Sequence, residues 1–80
     1  MKKWAKIFKL PKHDVLMMHM TNDEEGEHIV LILRVEKGQY IKTVSFDEDI
    51  QGAKDFFDKY KKEHAQQFVK EFEKKIKEDV

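Results

Sequence analysis

The chain has 80 residues, no cysteine, and sixteen basic against sixteen acidic side chains, for a formal net charge of zero. Eighty residues leave room for one domain, 1–80, and one small core, which buries only about 60% of its extended-chain surface. The absent thiols remove disulfides, thiol nucleophiles and thiolate metal sites. No apolar run is long enough for a secretory leader or a membrane span, and the expectation is a cytoplasmic protein that does not engage membranes.

Trp4-Ala5-Lys6-Ile7-Phe8-Lys9-Leu10 reads as a first strand, stopped by Pro11, which disfavours helix at the preceding residue. Val15 to Thr21 reads as a second strand with two apolar faces. Leu16, Met18 and Met20 form one face, and Val15, Met17 and His19 the other. Asn22 to Glu27 is polar and contains Gly26, which suits a turn requiring positive φ. His28 to Glu36 carries Ile29, Leu31, Leu33 and Val35 on one face and Val30 and Ile32 on the other, the pattern of a central strand. Lys37-Gly38 reads as a tight hairpin turn. It leads into a fourth strand in which, with Glu36 facing Gln39, Tyr40, Lys42, Val44 and Phe46 share a face opposite Val35, Leu33, Leu31 and Ile29.

At Asp47 the apolar period changes from about two to three or four. Asp47, Glu48 and Asp49 suit a helix start, and Gly52 places the regular helix nearer Ala53. Asp55–Lys59, Asp58–Lys62, Glu71–Lys75 and Glu73–Lys77 have the favourable acid-before-base spacing. The expected fold is α+β: an antiparallel four-stranded meander over 1–46, then a helical segment over 47–80, long or broken, in the order ββββα. A straight helix of that length would span roughly 45 Å, whereas an eight-residue strand spans about 27 Å. Its apolar stripe also rotates by about a quarter turn near residues 61–65. Either the helix overhangs the sheet and lays Phe68, Val69, Phe72 and Ile76 against a second copy, or it breaks near Lys61–His64 and folds back.

Chemistry is sparse. His13, His19, His28 and His64 are the nitrogen ligands available, without a motif-spaced third ligand for zinc. Asp23, Glu25 and Glu27 lack the spacing of a calcium loop. Ser45, the single serine, has no glycine-flanked elbow, and three glycines provide no phosphate loop. Neither an enzyme nor a resident cofactor or metal is expected. The leading expectation is a non-catalytic protein-interaction module, homodimeric through Phe68, Val69, Phe72 and Ile76. A second partner surface is expected on the sheet face away from the helix, formed by Val15, Met17, Val30 and Ile32. The alternative is a nucleic-acid binder. Lys2, Lys3, Lys6, Lys9 and Lys12 form a basic N-terminal block, with Trp4 and Phe8 available for stacking.

Overall fold

A computed structural model describes residues 4–36 and 38–78, with side chains through residue 75. Expectations for Lys2, Lys3 and Lys37 and for the side chain of Ile76 lie outside the described residues. The strands β1 (Ala5–Lys9), β2 (Asp14–Asn22), β3 (Gly26–Val35) and β4 (Gly38–Asp47) are followed by helices α1 (Ile50–Lys59) and α2 (Lys62–Glu78). The four strands form one antiparallel sheet in sequential order, as the alternation predicts.

Val15, Met17, Ile29, Leu31 and Leu33 project from one sheet face. They form the core with Ala53 and Phe57 of α1, Ala65 and Phe68 of α2, and Tyr60 between the helices. Val15, Met17, Ile29 and Leu33 are fully buried. β2 pairs with β3 so that Val15 lies opposite Leu33 and Met17 opposite Leu31. Both strands therefore give one apolar face to the helices and leave the other uncovered.

The β3–β4 hairpin closes on Val35 and Gly38, not on Glu36 and Gln39. The expected register is thus displaced by two residues. A shift of two preserves each residue's face, so Tyr40, Val44 and Phe46 still pack against the core. Lys42 falls opposite Leu31 rather than Leu33. It lies on the edge strand and reaches out to Glu71 at 3.8 Å, which is how a lysine stem can cover apolar surface with its charge in water.

β3 begins at Gly26, so Glu27 belongs to the strand rather than to the preceding loop. Gly26 has φ of 71°, and a Cβ there would collide with the Asp47 backbone carbonyl. The turn is held by Asn22, whose Oδ1 accepts from the backbone N–H groups of Glu24 and Glu25.

α1 starts at Ile50, three residues earlier than Gly52 suggested. Asp49 caps it by accepting from the Gly52 N–H at 2.8 Å. A Cβ on residue 52 would run into the Asp49 carboxylate, so glycine there serves the cap instead of delaying the helix.

The helical segment breaks at Tyr60, where the backbone turns extended at ψ 119°. A straight helix over residues 50–78 would be about 43 Å long, yet the described chain is 38 Å in its longest dimension. The break also changes the expected ion pairs. Asp58 pairs with Lys54 at 2.9 Å, because Lys62 begins the next helix.

Candidate interaction face

Four cross-strand rows organise the uncovered side of the sheet. Ile7, Leu16, Ile32 and Ile41 are successive partners across all four strands. The next row is Ala5, Met18, Val30 and Thr43, and beyond it lie Met20, His28 and Ser45. Ile7, Met20 and Ile41 are 47%, 46% and 51% exposed. Leu16, Met18 and Ile32 are half-buried by their neighbours. At the opposite end, Lys9, Asp14, Arg34 and Gln39 form a polar row. Ile7, Leu16, Ile32 and Ile41 thus form a contiguous apolar row rather than isolated exposed residues.

Of the four residues expected on a face away from the helices, two lie there. Val30 and Ile32 belong to the uncovered face, but Val15 and Met17 are 0% exposed and point into the helix-covered core. Leu16 and Met18 occupy the corresponding positions outside. Because both faces of β2 are apolar, alternation separates its two residue sets without saying which set matches Val30. The pairing register decides it.

The described residues expected at a helical interface pack within their own chain. Phe68 is 3% exposed within its own chain, with its ring 5.8 Å from that of Tyr40. Phe72 packs against Tyr40 and edge-on to His13, at ring separations of 5.2 and 6.4 Å. Val69 is half-buried against the same core. The break folds α2 back, so this ridge is covered by its own domain.

The proposed nucleic-acid residues separate in a similar way. Trp4 stacks on His19 at 4.1 Å and packs beside Phe57, while Phe8 packs beside Tyr60. Both rings face the helices and offer no exposed stacking platform. The Lys6 Nζ donates to the backbone carbonyls of Phe57 and Tyr60 at the end of α1. Burial lowers its pKa from the usual lysine value, with nearby Lys61 and Lys54 acting in the same direction and Asp58 opposing them. Lys9 and Lys12 remain exposed.

The four histidines are dispersed. His19 lies on the core side, where Nε2 and Glu27 Oε1 approach to 3.3 Å. His28 lies on the uncovered side, and its Nδ1 approaches the Gly26 carbonyl at 3.2 Å. They therefore do not share a face. His64 is exposed. Its Nδ1 accepts the Lys61 N–H at 2.9 Å at the start of α2, an arrangement resembling one arm of a capping box. Among the described residues, no group of three histidine or acidic side chains is arranged to hold a metal ion.

Sequence reasoning missed the cluster at the end of the core. Glu27 is 8% exposed, accepts from the Thr21 hydroxyl, and faces His19 beneath Trp4. The signal was the alternation itself, since Glu27 continues the series Ile29, Leu31, Leu33. Ser45 and His28 are cross-strand partners on the uncovered face, beside an open cleft also lined by Glu24, Glu25, Thr43 and Asp47. No hydrogen bond joins the Ser45 hydroxyl to the His28 ring among the described contacts. No described helix is long and apolar enough to cross a membrane. Comparison with protein-family models, curated proteins and solved structures finds no match.

Proposed function

We propose that this chain is a non-catalytic interaction module that self-associates through the uncovered face of its sheet. The carrying observation is the apolar row Ile7–Leu16–Ile32–Ile41, reinforced by Met18, Val30 and Met20, with three of these residues close to half exposed. Covering such side chains contributes roughly 25 cal/mol per Å² removed from water. A zero net charge also places no large overall repulsion between copies.

The non-catalytic reading is supported by the chemistry near the face. The single serine has no hydrogen-bonded base, and the nearby carboxylates line an open cleft. The nucleic-acid alternative is weakened because Trp4, Phe8 and Lys6 are engaged within the fold.

Sedimentation equilibrium of the wild type beside Ile7→Lys and Ile41→Lys tests this function. The expected result is a wild-type dimer and two folded monomers with unchanged circular dichroism. A wild type that stays monomeric up to millimolar concentration would contradict it.

A further inference from the structure

The order of residues across the uncovered face carries information beyond its hydrophobicity. Resting on the self-association reading above, we infer that two copies pack sheet to sheet about a two-fold axis parallel to the strands and between β2 and β3. This arrangement sets Asp14 of each copy opposite the partner's Arg34.

Rotation about that axis lays β1 over β4 of the second copy and β2 over its β3. Each cross-strand row then meets itself in reverse order. Ile7–Leu16–Ile32–Ile41 meets Ile41–Ile32–Leu16–Ile7, so the row is apolar on both sides at every position. Ala5–Met18–Val30–Thr43 likewise meets its own reverse, bringing Met18 over Val30. The polar row Lys9–Asp14–Arg34–Gln39 gives two reciprocal Asp14–Arg34 pairs, with Lys9 facing Gln39. Neither Asp14 nor Arg34 forms an ion pair with another described residue of its own chain.

The other in-plane two-fold axis, perpendicular to the strands, breaks this reciprocal pairing. Centred on the face, it lays Asp14 over the partner copy's Asn22 row and Arg34 over its Gly26, at the turn that carries Asp23, Glu24 and Glu25. Either in-plane axis keeps the mean strand directions aligned within roughly 30°, a common geometry for packed sheets, and the reciprocal Asp14–Arg34 pairing selects the axis parallel to the strands. At a separation of about 10 Å, aspartate and arginine side chains can span the gap between the sheets.

The face measures about 19 Å across four strands and 23 Å along seven residues. Two such faces present roughly 870 Å² in projection, below the roughly 1,200–2,000 Å² typical of specific complexes, so a weak dimer is expected. Both acidic β2–β3 turns come to the same end, but Asp23, Glu24 and Glu25 are exposed. Their repulsion is therefore screened by salt.

Asp14 and Arg34 are the specificity-determining residues in this arrangement, and mixing two charge variants tests them. Asp14→Arg and Arg34→Asp each place like charges opposite one another in a homodimer and are expected to weaken association at least about tenfold, since opposed like charges cost more than one factor of ten. An equimolar mixture restores opposite charges across the interface and is expected to form a heterodimer close to wild-type strength. Mixing cannot repair altered neighbours within either chain, so recovery reports contact between copies. If thermal melts show either variant unfolded, Asp14→Asn and Arg34→Gln replace them, with each expected to weaken association several-fold. Wild-type-like homodimers from the single variants, or a mixture no tighter than its components, would overturn the axis while leaving self-association intact. A monomeric wild type would overturn both.

Discussion

The Lys6 ammonium donates to the Tyr60 carbonyl at 2.9 Å, joining residues 54 positions apart at the helix break. It also reaches the Phe57 carbonyl and lies 4.4 Å from the Phe57 ring centroid. A cation at a helix C-terminus satisfies exposed carbonyls and complements the negative end of the helix. Its partial burial offsets some of that benefit, as the lowered pKa indicates. The edge strand thus adds a second cation at the C-terminus of α1, whose own last turn carries Lys59.

Lys6→Met preserves much of the apolar stem and removes the donors. The expected outcome is faster hydrogen exchange at the Tyr60, His64 and Ala65 amides, which make backbone bonds at the break. Global stability should change by no more than about 1 kcal/mol because lost hydrogen bonds and relieved desolvation oppose each other. Unchanged exchange at all three amides would dissociate Lys6 from the break.

His64→Ala tests the start of α2. Loss of the acceptor for the Lys61 N–H should destabilise the protein by about 0.5–1 kcal/mol, as at other helix N-termini. Urea unfolding measures the loss. A variant as stable as the wild type would show that the contact contributes no net stability.

Tyr60 supplies an alkaline signature. Burial raises its pKa from 10.0, with Glu71 adding to the effect. The folded protein retains this proton where the unfolded chain releases it. The Tyr60 contribution is therefore fully present below pH 10.0 and is lost as pH rises through the folded-state value. Lys6 acts oppositely, because its native pKa lies below 10.5 and the unfolded chain retains that proton longer. Tyr60→Phe isolates the tyrosine contribution. Relative to the wild type, its stability should decline less steeply above pH 10.0, as followed by chemical unfolding. Parallel curves would contradict this linkage.

Phe68→Ala separates core from interface. Phe68 is buried among residues of its own chain, so truncation should cost about 3–5 kcal/mol. The loss should be present in monomeric Ile41→Lys as well as in the wild type. Thermal unfolding of both backgrounds measures it. A loss confined to the associating background would return Phe68 to an intermolecular interface.

The sheet was legible because β3 is apolar on both faces and Gly26 falls where the chain needs positive φ. The quarter-turn in the apolar stripe left two arrangements open, an overhanging helix or a break near Lys61–His64, and the chain breaks at Tyr60. No proline or glycine marks the break in the sequence; His64 caps the start of α2 and Lys6 reaches the end of α1 from β1. The uncovered face was legible in Val30 and Ile32 but not in β2, where Val15/Met17 and Leu16/Met18 are equally apolar choices. Tertiary pairing with Leu33 and Leu31 separates them.

An isotope-filtered nuclear Overhauser experiment on a mixture of labelled and unlabelled wild-type chains tests the working surface most directly. The account predicts intermolecular contacts among Ile7, Leu16, Ile32 and Ile41 methyl groups, with Ile7 meeting Ile41 and Leu16 meeting Ile32. Contacts through Phe72 and Val69 instead, or none at millimolar protein, would contradict it.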